Sequence, residues 1–324
     1  MAQMNLAIVD IEPFIHGDEV ARKRVARSFG DAFETTGFAV IVGHGVPETL
    51  ATGLYNTLTG FFEEPYEAKS RYTPPEKAKG RGYLPIGIES VAKTLTGETP
   101  PDLCEALVFT APHREEMPGT RPNIWPEQPQ ALRSLVADYT REMVALTDRL
   151  ARMSALALDL PETFFADAYR DPALVLRFVN YPDQVTPPLP GQMRYGEHHD
   201  YGALTILRQD AAPGGLQIRD GDGEWKEAGV VPDSFVINVG DLMARWTNNR
   251  WRSTLHRVSN PDRSLTGSTR RLSMVAFTGP NEQWEVACLP SCTDDEHPPL
   301  FEPIKAGEYV RAKIAASMEL HPGT

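Results

Sequence analysis

The second half of the chain is divided into short segments rich in β-branched and aromatic residues, with glycine, proline, asparagine and aspartate between them. From Leu174 onwards these segments are LVLRFVNYP, LTILRQ, GGLQIRD, EWKEAGVV, SFVINVG, HRVSN and RRLSMVAFTGP. They are too short and too often interrupted for helices, and their spacing is typical of antiparallel strands joined by turns. The pattern therefore predicts a sandwich or a barrel.

The first half follows a different pattern, in the order strand, helix, strand, helix. LAIVDIEPF predicts a strand, and the next segment predicts an amphipathic helix with Asp18 as N-cap and Gly37 as terminator. FAVIV predicts a second strand, after which Pro47 can open another helix. Turn-forming residues accumulate over 73–101. Prolines recur so often over 112–129 that regular structure is not expected in that second stretch.

A long helix is predicted between Gln130 and Leu160, where apolar residues recur at alternating steps of three and four. Such a stripe packs against either its own domain or a second copy of the chain. We expect the former, because the flanking charges of a coiled coil are weak here. A coiled-coil dimer is the alternative, so the chain is predicted to be a monomer or a weak homodimer.

Charge and composition narrow the range of partners. The 324 residues carry a net charge of −12, which repels phosphate backbones and anionic lipids, so we expect neither nucleic acid nor membrane as a partner. The sequence has no signal pattern and no run of about 20 apolar residues, and we therefore expect a cytoplasmic location. Three scattered cysteines predict reduced thiols rather than a disulfide framework; these are Cys104, Cys288 and Cys292.

The segment GEHHDYGALTIL sets two histidines beside an aspartate. In a strand, residues two apart share a face and immediate neighbours point oppositely, so His198 and Asp200 can reach one point while His199 cannot. His256, in STLHRVSN, is the candidate third ligand. Two imidazoles and one carboxylate suit non-haem iron(II) and leave coordination positions open. The alternative is a chance H-x-D motif, with His256 simply bonded to a neighbouring strand.

A second pair of residues lies in RRLSMVAF, on a predicted strand. Arg271 and Ser273 are two apart, so a guanidinium and a hydroxyl project from one face and can hold a carboxylate. An arginine among apolar neighbours is costly to bury without an anion. The alternative is that Arg271 pairs with a carboxylate of the protein itself. Arg270 is then expected to face solvent.

These segments together resemble the isopenicillin N synthase-like family of iron(II)- and 2-oxoglutarate-dependent oxygenases. The resemblance rests on HHDYGALTIL, GGLQI, NVGDLMARWTNNRWRSTLHRV and RRLSMVAF in that order, on TGFAVIVGHGVP, FFEEPYEAK and GRGYLPIG earlier, and on FEPIKAGEYVRAK near the end. It implies a mostly β fold, a double-stranded β-helix (jelly roll) with flanking helices. The implied division is an N-terminal α/β region at 1–125 and a long helix with the core at 126–324, with catalytic motifs at about 174–280.

The resemblance also assigns roles to individual residues. His198, Asp200 and His256 are the implied iron ligands and the catalytic centre. Arg271 and Ser273 are implied to bind the distal carboxylate of 2-oxoglutarate, with Tyr181 of RFVNYP reaching the same cosubstrate. Two departures are visible: many relatives carry an asparagine at the position of Val179, where this chain has it at Asn180, and His199 stands where the family commonly has threonine or serine.

The implied activity is an oxidation of a small molecule that uses Fe(II), 2-oxoglutarate and O2 and releases succinate and CO2. Hydroxylation of a C–H bond is the expected outcome, and desaturation, cyclisation or ethylene formation need only a different placement of the substrate. The alternatives are a metal-dependent oxidase of the same fold that does not use 2-oxoglutarate, and a jelly-roll binding protein without turnover. We expect substrate contacts from the loop at 83–94, from Arg245 and Trp246, and from the segment after Pro290.

Overall fold

Two largely antiparallel sheets form the core of the structure, a computed structural model that describes residues 2–75, 80–97, 99–115 and 122–319. The strands are β1 (Ala7–Asp10), β2 (Phe38–Val42), β3 (Gly82–Leu84), β4 (Glu105–Thr110), β5 (Ala173–Tyr181), β6 (Tyr195–His198), β7 (Leu204–Gln209), β8 (Leu216–Arg219), β9 (Trp225–Glu227), β10 (Phe235–Val239), β11 (His256–Val258), β12 (Arg271–Gly279), β13 (Glu285–Val286) and β14 (Ile304–Lys305). The large sheet has the order β1-β2-β10-β7-β12-β5-β4-β3, and the small sheet has the order β6-β11-β8-β9.

The helices lie mainly in the first half and at the end of the chain. They are α1 (Glu12–His16), α2 (Glu19–Thr35), α3 (Glu48–Glu63), α4 (Tyr66–Lys69), α5 (Lys93–Thr96), α6 (Leu132–Ala157), α7 (Asp241–Trp246) and α8 (Ala306–Glu319), with 3-10 turns at Ser70–Tyr72, Pro112–Arg114 and Pro290–Cys292. The Asp18 carboxylate accepts a hydrogen bond from the Ala21 amide, as the predicted N-cap of α2. Gly37 follows the end of that helix with a φ of +74°, a conformation that favours glycine.

Each strand of the large sheet has two faces with different surroundings. One face packs against α2, α3 and α6, and its residues belong to the main apolar core, as Leu176, Phe178 and Met274 do. The other face, which we call the inner face, is turned towards the small sheet: Val179 and Tyr181 of β5 share a cluster with Val258 of β11. This is the predicted double-stranded β-helix, with its interior between the two sheets.

The predicted long helix is present as α6, and its apolar stripe is buried against α2 and α3 of the same chain. Strands β1 to β4, from the region 1–125, pair into the same large sheet as β5, β7, β10 and β12. The boundary at residue 125 stays a prediction. Within the stretch 112–129 the described part contains one short 3-10 turn, and residues 116–121 lie outside the described residues.

Candidate metal centre and carboxylate site

The ladder between β6 and β11 brings the two predicted histidine ligands together. His198 is the last residue of β6 and lies directly opposite His256, the first residue of β11. Their ring centroids are 4.2 Å apart. Asp200 lies beyond the end of β6, so the expectation that it shares a strand face with His198 is wrong in detail. The loop after β6 nevertheless turns its carboxylate towards both imidazoles.

Backbone hydrogen bonds orient both imidazoles in the same way. His198 Nδ1 lies 2.9 Å from the carbonyl oxygen of Gly196, and His256 Nδ1 lies 3.1 Å from that of Thr254. A carbonyl can only accept, so each Nδ1 carries the proton and each Nε2 keeps a free lone pair. This is the arrangement that fixes a metal-binding histidine in a single tautomer.

The Asp200 carboxylate is divided between two tasks. Its Oδ2 accepts hydrogen bonds from the Thr205 hydroxyl at 2.6 Å and from the Asn238 amide at 2.7 Å. Its Oδ1 lies 3.6 Å from Nε2 of His198 and 3.8 Å from Nε2 of His256. One ligand atom from each of the three residues lies within 4.8 Å of the other two, and all three side chains are buried. Two nitrogens and one oxygen gathered on one side of a point fit a non-haem iron(II) ion.

Burial sets the protonation states that such an ion requires. Burial, reinforced by the nearby His256, lowers the pKa of His198 to about 3. Burial alone opposes ionisation of Asp200, but the two imidazoles and its two hydrogen-bond donors hold its pKa below the ordinary value. The site therefore offers a neutral imidazole at His198 and a charged carboxylate at neutral pH, as metal ligation needs.

His199 is the first residue after β6, and its ring nitrogen is engaged by a residue outside the ligand cluster. Its Nδ1 lies 3.2 Å from the Ser253 hydroxyl, which in turn donates to Asp241 at 2.8 Å. Its hydrogen-bond partner thus differs from that of His198, although the two residues are adjacent in the chain.

Arg271, Ser273 and Tyr181 all lie on the inner face. Arg271 is directly opposite Tyr181 in the β12–β5 ladder, and Ser273 follows two residues later. All three are buried, with Arg271 only 1% exposed. Burial raises the pKa of the Tyr181 hydroxyl, so it remains a hydrogen-bond donor. Two donors and a cation on one face match a carboxylate.

The guanidinium of Arg271 is partly engaged by the protein. It donates to the carbonyls of Asp210 and Ala212 at 3.0 and 3.3 Å and to the side chain of Gln209 at 2.7 Å. The Asp210 carboxylate lies 3.6 Å away, so the alternative of a protein carboxylate is partly realised. The Arg271 Nε is buried and has no hydrogen-bond partner among the described residues. Burial lowers the pKa of Arg271, because removing the guanidinium from water disfavours its charged form. A bound anion would offset this desolvation cost.

Arg270 does not face open solvent as expected. Its guanidinium donates to Glu63 at 2.7 Å, to the Thr59 carbonyl at 3.0 Å and to the Asn180 side chain at 2.9 Å. The helix α3 covers this side of β12, which no local pattern in RRLSMVAF could indicate. Asn180 lies on the same outer side, whereas Val179 faces the interior.

The regions expected to contact substrate lie in different surroundings. Trp246 is a core residue, 3% exposed and in edge contact with Phe165. Arg245 donates to the Glu302 carbonyl and lies over the Phe301 ring, on the margin of a cavity of about 630 Å³ that none of the three proposed metal ligands lines. The loop at 83–94, by contrast, brings Glu89 onto an arginine of the inner face, Arg177.

Several residues of the site were missed by sequence reasoning. Thr205 and Asn238, which orient Asp200, are separated from it by 5 and 38 positions. Their only sequence signal is a polar residue among the apolar positions of strands β7 and β10. Gln209 and Asp210 beside Arg271 were also missed, because they lie in a polar run at and after the end of β7 that gives no specific signal.

Two family models match this chain. Residues 6–128 match the family described as non-haem dioxygenase in morphine synthesis N-terminal, and residues 170–280 match the 2OG-Fe(II) oxygenase superfamily. Homoarginine-6-hydroxylase 2-ODD-C23 of Glycine max is 32% identical over 84% of this chain and 85% of its own length. The chain belongs to the 2OG-Fe(II) oxygenase superfamily. The resemblance found in the sequence is thereby confirmed.

Other relatives of this oxygenase agree in length and fold. Proline hydroxylase buaE of Petromyces alliaceus is 29% identical over 96% of this chain and 99% of its own. The crystal structure of a full-length Neurospora crassa protein in complex with alpha-KG and thymine superposes with a TM-score of 0.85 at 29% identity, covering 96% of this chain and 97% of that one. A putative 2OG-Fe(II) oxygenase family protein from Caulobacter crescentus gives a TM-score of 0.82 at 29% identity, covering 96% and 98%.

The protein is therefore an Fe(II)- and 2-oxoglutarate-dependent oxygenase that acts on a small molecule, as the sequence predicted. Among the described helices of this oxygenase, none is both long and apolar enough to cross a membrane.

Proposed function

We propose that His198, Asp200 and His256 bind the iron of this oxygenase, and that Arg271 and Ser273, assisted by Tyr181, bind the distal carboxylate of 2-oxoglutarate. The observation that carries the proposal is the convergence of three free lone pairs, two on Nε2 atoms and one on Oδ1, while the remaining polar atoms of the same side chains are held by other groups.

The bound iron and cosubstrate supply the oxidising chemistry, in which 2-oxoglutarate and O2 are converted to succinate and CO2 as a substrate C–H bond is oxidised. The side chains of the protein prepare and orient the reactants. Thr205 and Asn238 hold Asp200 so that one oxygen remains free. Arg271 supplies the positive charge for a carboxylate, and the Tyr181 hydroxyl, whose pKa is raised by burial, stays protonated and can donate to it.

A further arginine, Arg194, contacts the backbone next to the carboxylate site. Arg194 is completely buried and donates to the carbonyls of Pro213, Gly214 and Thr269. These contacts tie the segment that follows Asp210, whose carbonyl Arg271 contacts, to the residues that precede β12. We infer that Arg194 positions this segment and does not bind cosubstrate itself.

Hydroxylation is the proposed outcome, in line with the names of two relatives, a homoarginine hydroxylase and a proline hydroxylase. We further propose a cytoplasmic enzyme that is a monomer or a weak homodimer. The burial of the apolar stripe of α6 within its own chain supports this over a coiled-coil dimer.

The test is succinate formation from 2-oxoglutarate with Fe(II) under air, using a panel of small polar molecules. We expect succinate to rise with a subset of the panel and to require both iron and 2-oxoglutarate. Oxidation of a substrate with no 2-oxoglutarate requirement would instead favour the oxidase alternative, in which Arg271 serves only the contacts with Gln209 and Asp210.

A further inference from the structure

A second arginine of the inner face, Arg177, lies near the metal centre. Arg177 of β5 is directly opposite Val275 of β12, so it shares the face of Ser273 and Arg271. Its guanidinium lies 5.5 Å from the centre of the Tyr195 ring, and that ring lies 4.8 Å from the ring of His198. One aromatic side chain therefore separates the Arg177 charge from a proposed metal ligand.

The two faces of the sheet differ in exposure at this level. On the outer face of the same strands, Leu176, Phe178 and Ala276 are at most 1% exposed. On the inner face, Val175 is 37% exposed, and Phe277 is half-buried. The same strands are thus tightly packed on the outer face and partly exposed on the face that carries Arg177.

Arg177 is paired with an acid from a distant loop. Both carboxylate oxygens of Glu89 accept hydrogen bonds from its two terminal nitrogens, one of them at 3.1 Å. The Arg177 side chain is 12% exposed, and that of Glu89 is 31% exposed. The pair is therefore sheltered on its arginine side and accessible on its carboxylate side.

Asp102 holds the Glu89 loop against the strand that carries His198. Its backbone amide donates to the Glu89 carbonyl at 2.8 Å. Its carboxylate accepts from the amides of Val91 and Gly196, both at 2.9 Å, and Gly196 belongs to β6. The position of Glu89 relative to the metal centre is thus fixed by three hydrogen bonds to one residue.

The pairing restricts which charges a substrate can carry. A molecule with only a carboxylate would be attracted by Arg177 but repelled by Glu89. A molecule with only an ammonium group would be attracted by Glu89 but repelled by Arg177. A head group that carries both charges satisfies both partners.

We propose that Glu89 and Arg177 together bind the zwitterionic head group of an amino-acid substrate, with the carboxylate towards Arg177 and the ammonium towards Glu89. The side chain of the substrate then extends towards the metal centre, where its C–H bond is oxidised. This inference rests on the proposed function of the metal and 2-oxoglutarate sites, and it adds the class of substrate.

The test compares free amino acids with capped derivatives under anaerobic conditions. Protein with Fe(II) and 2-oxoglutarate is mixed with each standard amino acid, with homologues of lysine, arginine and proline one methylene longer, and with the Nα-acetyl and methyl-ester form of each. The readouts are the weak visible charge-transfer band of the iron–2-oxoglutarate chelate and the thermal unfolding midpoint. We expect at least one free amino acid to shift both, and its two capped forms to need concentrations at least about thirtyfold higher.

Glu89→Gln is the diagnostic variant, because it removes the charge and keeps the shape of a partly exposed side chain. We expect it to weaken binding of the free amino acid by about thirtyfold or more and to abolish the discrimination against the acetylated form. The band without amino acid should be unchanged. Asp138→Asn is the matched control, because it neutralises the acid of the exposed Arg141–Asp138 pair on α6. This variant should bind the free amino acid as the unmodified protein does.

Different results would contradict the metal and 2-oxoglutarate assignment and the zwitterion proposal. Absence of the band in folded protein contradicts the metal and 2-oxoglutarate assignment. A normal band that no free amino acid shifts, or that capped and free forms shift equally, overturns the zwitterion proposal and leaves that assignment intact. Unchanged discrimination in Glu89→Gln also overturns it.

Discussion

The two faces of the large sheet both carry buried charged residues, but they use them differently. On the outer face, the Glu105 carboxylate accepts hydrogen bonds from Lys69 at 2.8 Å, from Tyr83 at 2.5 Å and from Asn180 at 2.8 Å. Its negative charge is therefore balanced by groups of the protein itself. Opposite the inner face, on β6, the loop after it and β11 of the small sheet, the Nε2 and Oδ1 atoms of the three proposed ligands converge on one point that an ion can occupy. The outer network holds strands and α4 together, and the inner cluster is prepared for ions and small molecules.

Strands of the large sheet contribute one set of residues to the outer face and another to the inner face. Tyr181 and Asn180 are neighbours on β5, and Arg271 and Arg270 are neighbours in the chain, yet each pair is split between the two faces. Because successive residues alternate, a shift of register by one position would exchange the two sets. Register is therefore as important to function here as the identity of the ligands.

The largest expected effect separates two adjacent histidines. His198→Ala should abolish succinate formation, because it removes one of three metal ligands, whereas His199→Ala should retain most of it. Circular dichroism of both variants controls for folding. Equal loss in the two variants would show that the assignment of faces after β6 is wrong.

The second prediction concerns the outer network. Lys69→Met leaves the Glu105 carboxylate buried without its cation, and we expect a loss of about 3–5 kcal/mol in the free energy of unfolding, measured by urea denaturation. Succinate formation per folded molecule should not change. The double variant with Glu105→Gln should recover part of the loss. A variant of unchanged stability and reduced turnover would contradict the division between the faces.

The third prediction compares two neighbouring arginines. Arg271→Ala should raise the 2-oxoglutarate concentration needed for half-maximal turnover by about tenfold to a hundredfold, because charged hydrogen bonds contribute about 1.5–3 kcal/mol. Arg270→Ala removes the same charge on the outer face and should leave that concentration unchanged. The steady-state dependence on 2-oxoglutarate measures both. An equal requirement in the two variants would exclude Arg271 as the anion-binding residue.

The smallest effect is a pH dependence of stability in the metal-free protein. The folded pKa of His198 is about 3, below its ordinary 6.5, so between these values the unfolded chain binds a proton that the folded chain does not. Stability should therefore fall with falling pH in this window, by up to about 1.4 kcal/mol per pH unit from this group. His198→Asn should show a shallower slope in urea denaturation at pH values of about 6 and about 5. Identical slopes would contradict burial of a neutral imidazole.

Sequence patterns identified the parts of the fold and site that depend on local spacing. The period of α6, the cap at Asp18 and the H-x-D motif are all of this kind. What they could not provide were contacts set by tertiary packing. Glu89 meets Arg177 across 88 positions, and Arg270 finds its partners on α3 rather than in solvent.

Binding of Fe(II) and 2-oxoglutarate by the metal-free protein, titrated anaerobically and followed by the visible charge-transfer band, tests the proposed metal and carboxylate sites most directly. The band should appear at one iron and one 2-oxoglutarate per chain, and Asp200→Ala should remove it while His199→Ala keeps it. A folded protein that gives no band, or an Asp200→Ala variant that gives the full band, would contradict the assignment of His198, Asp200 and His256 as the iron ligands.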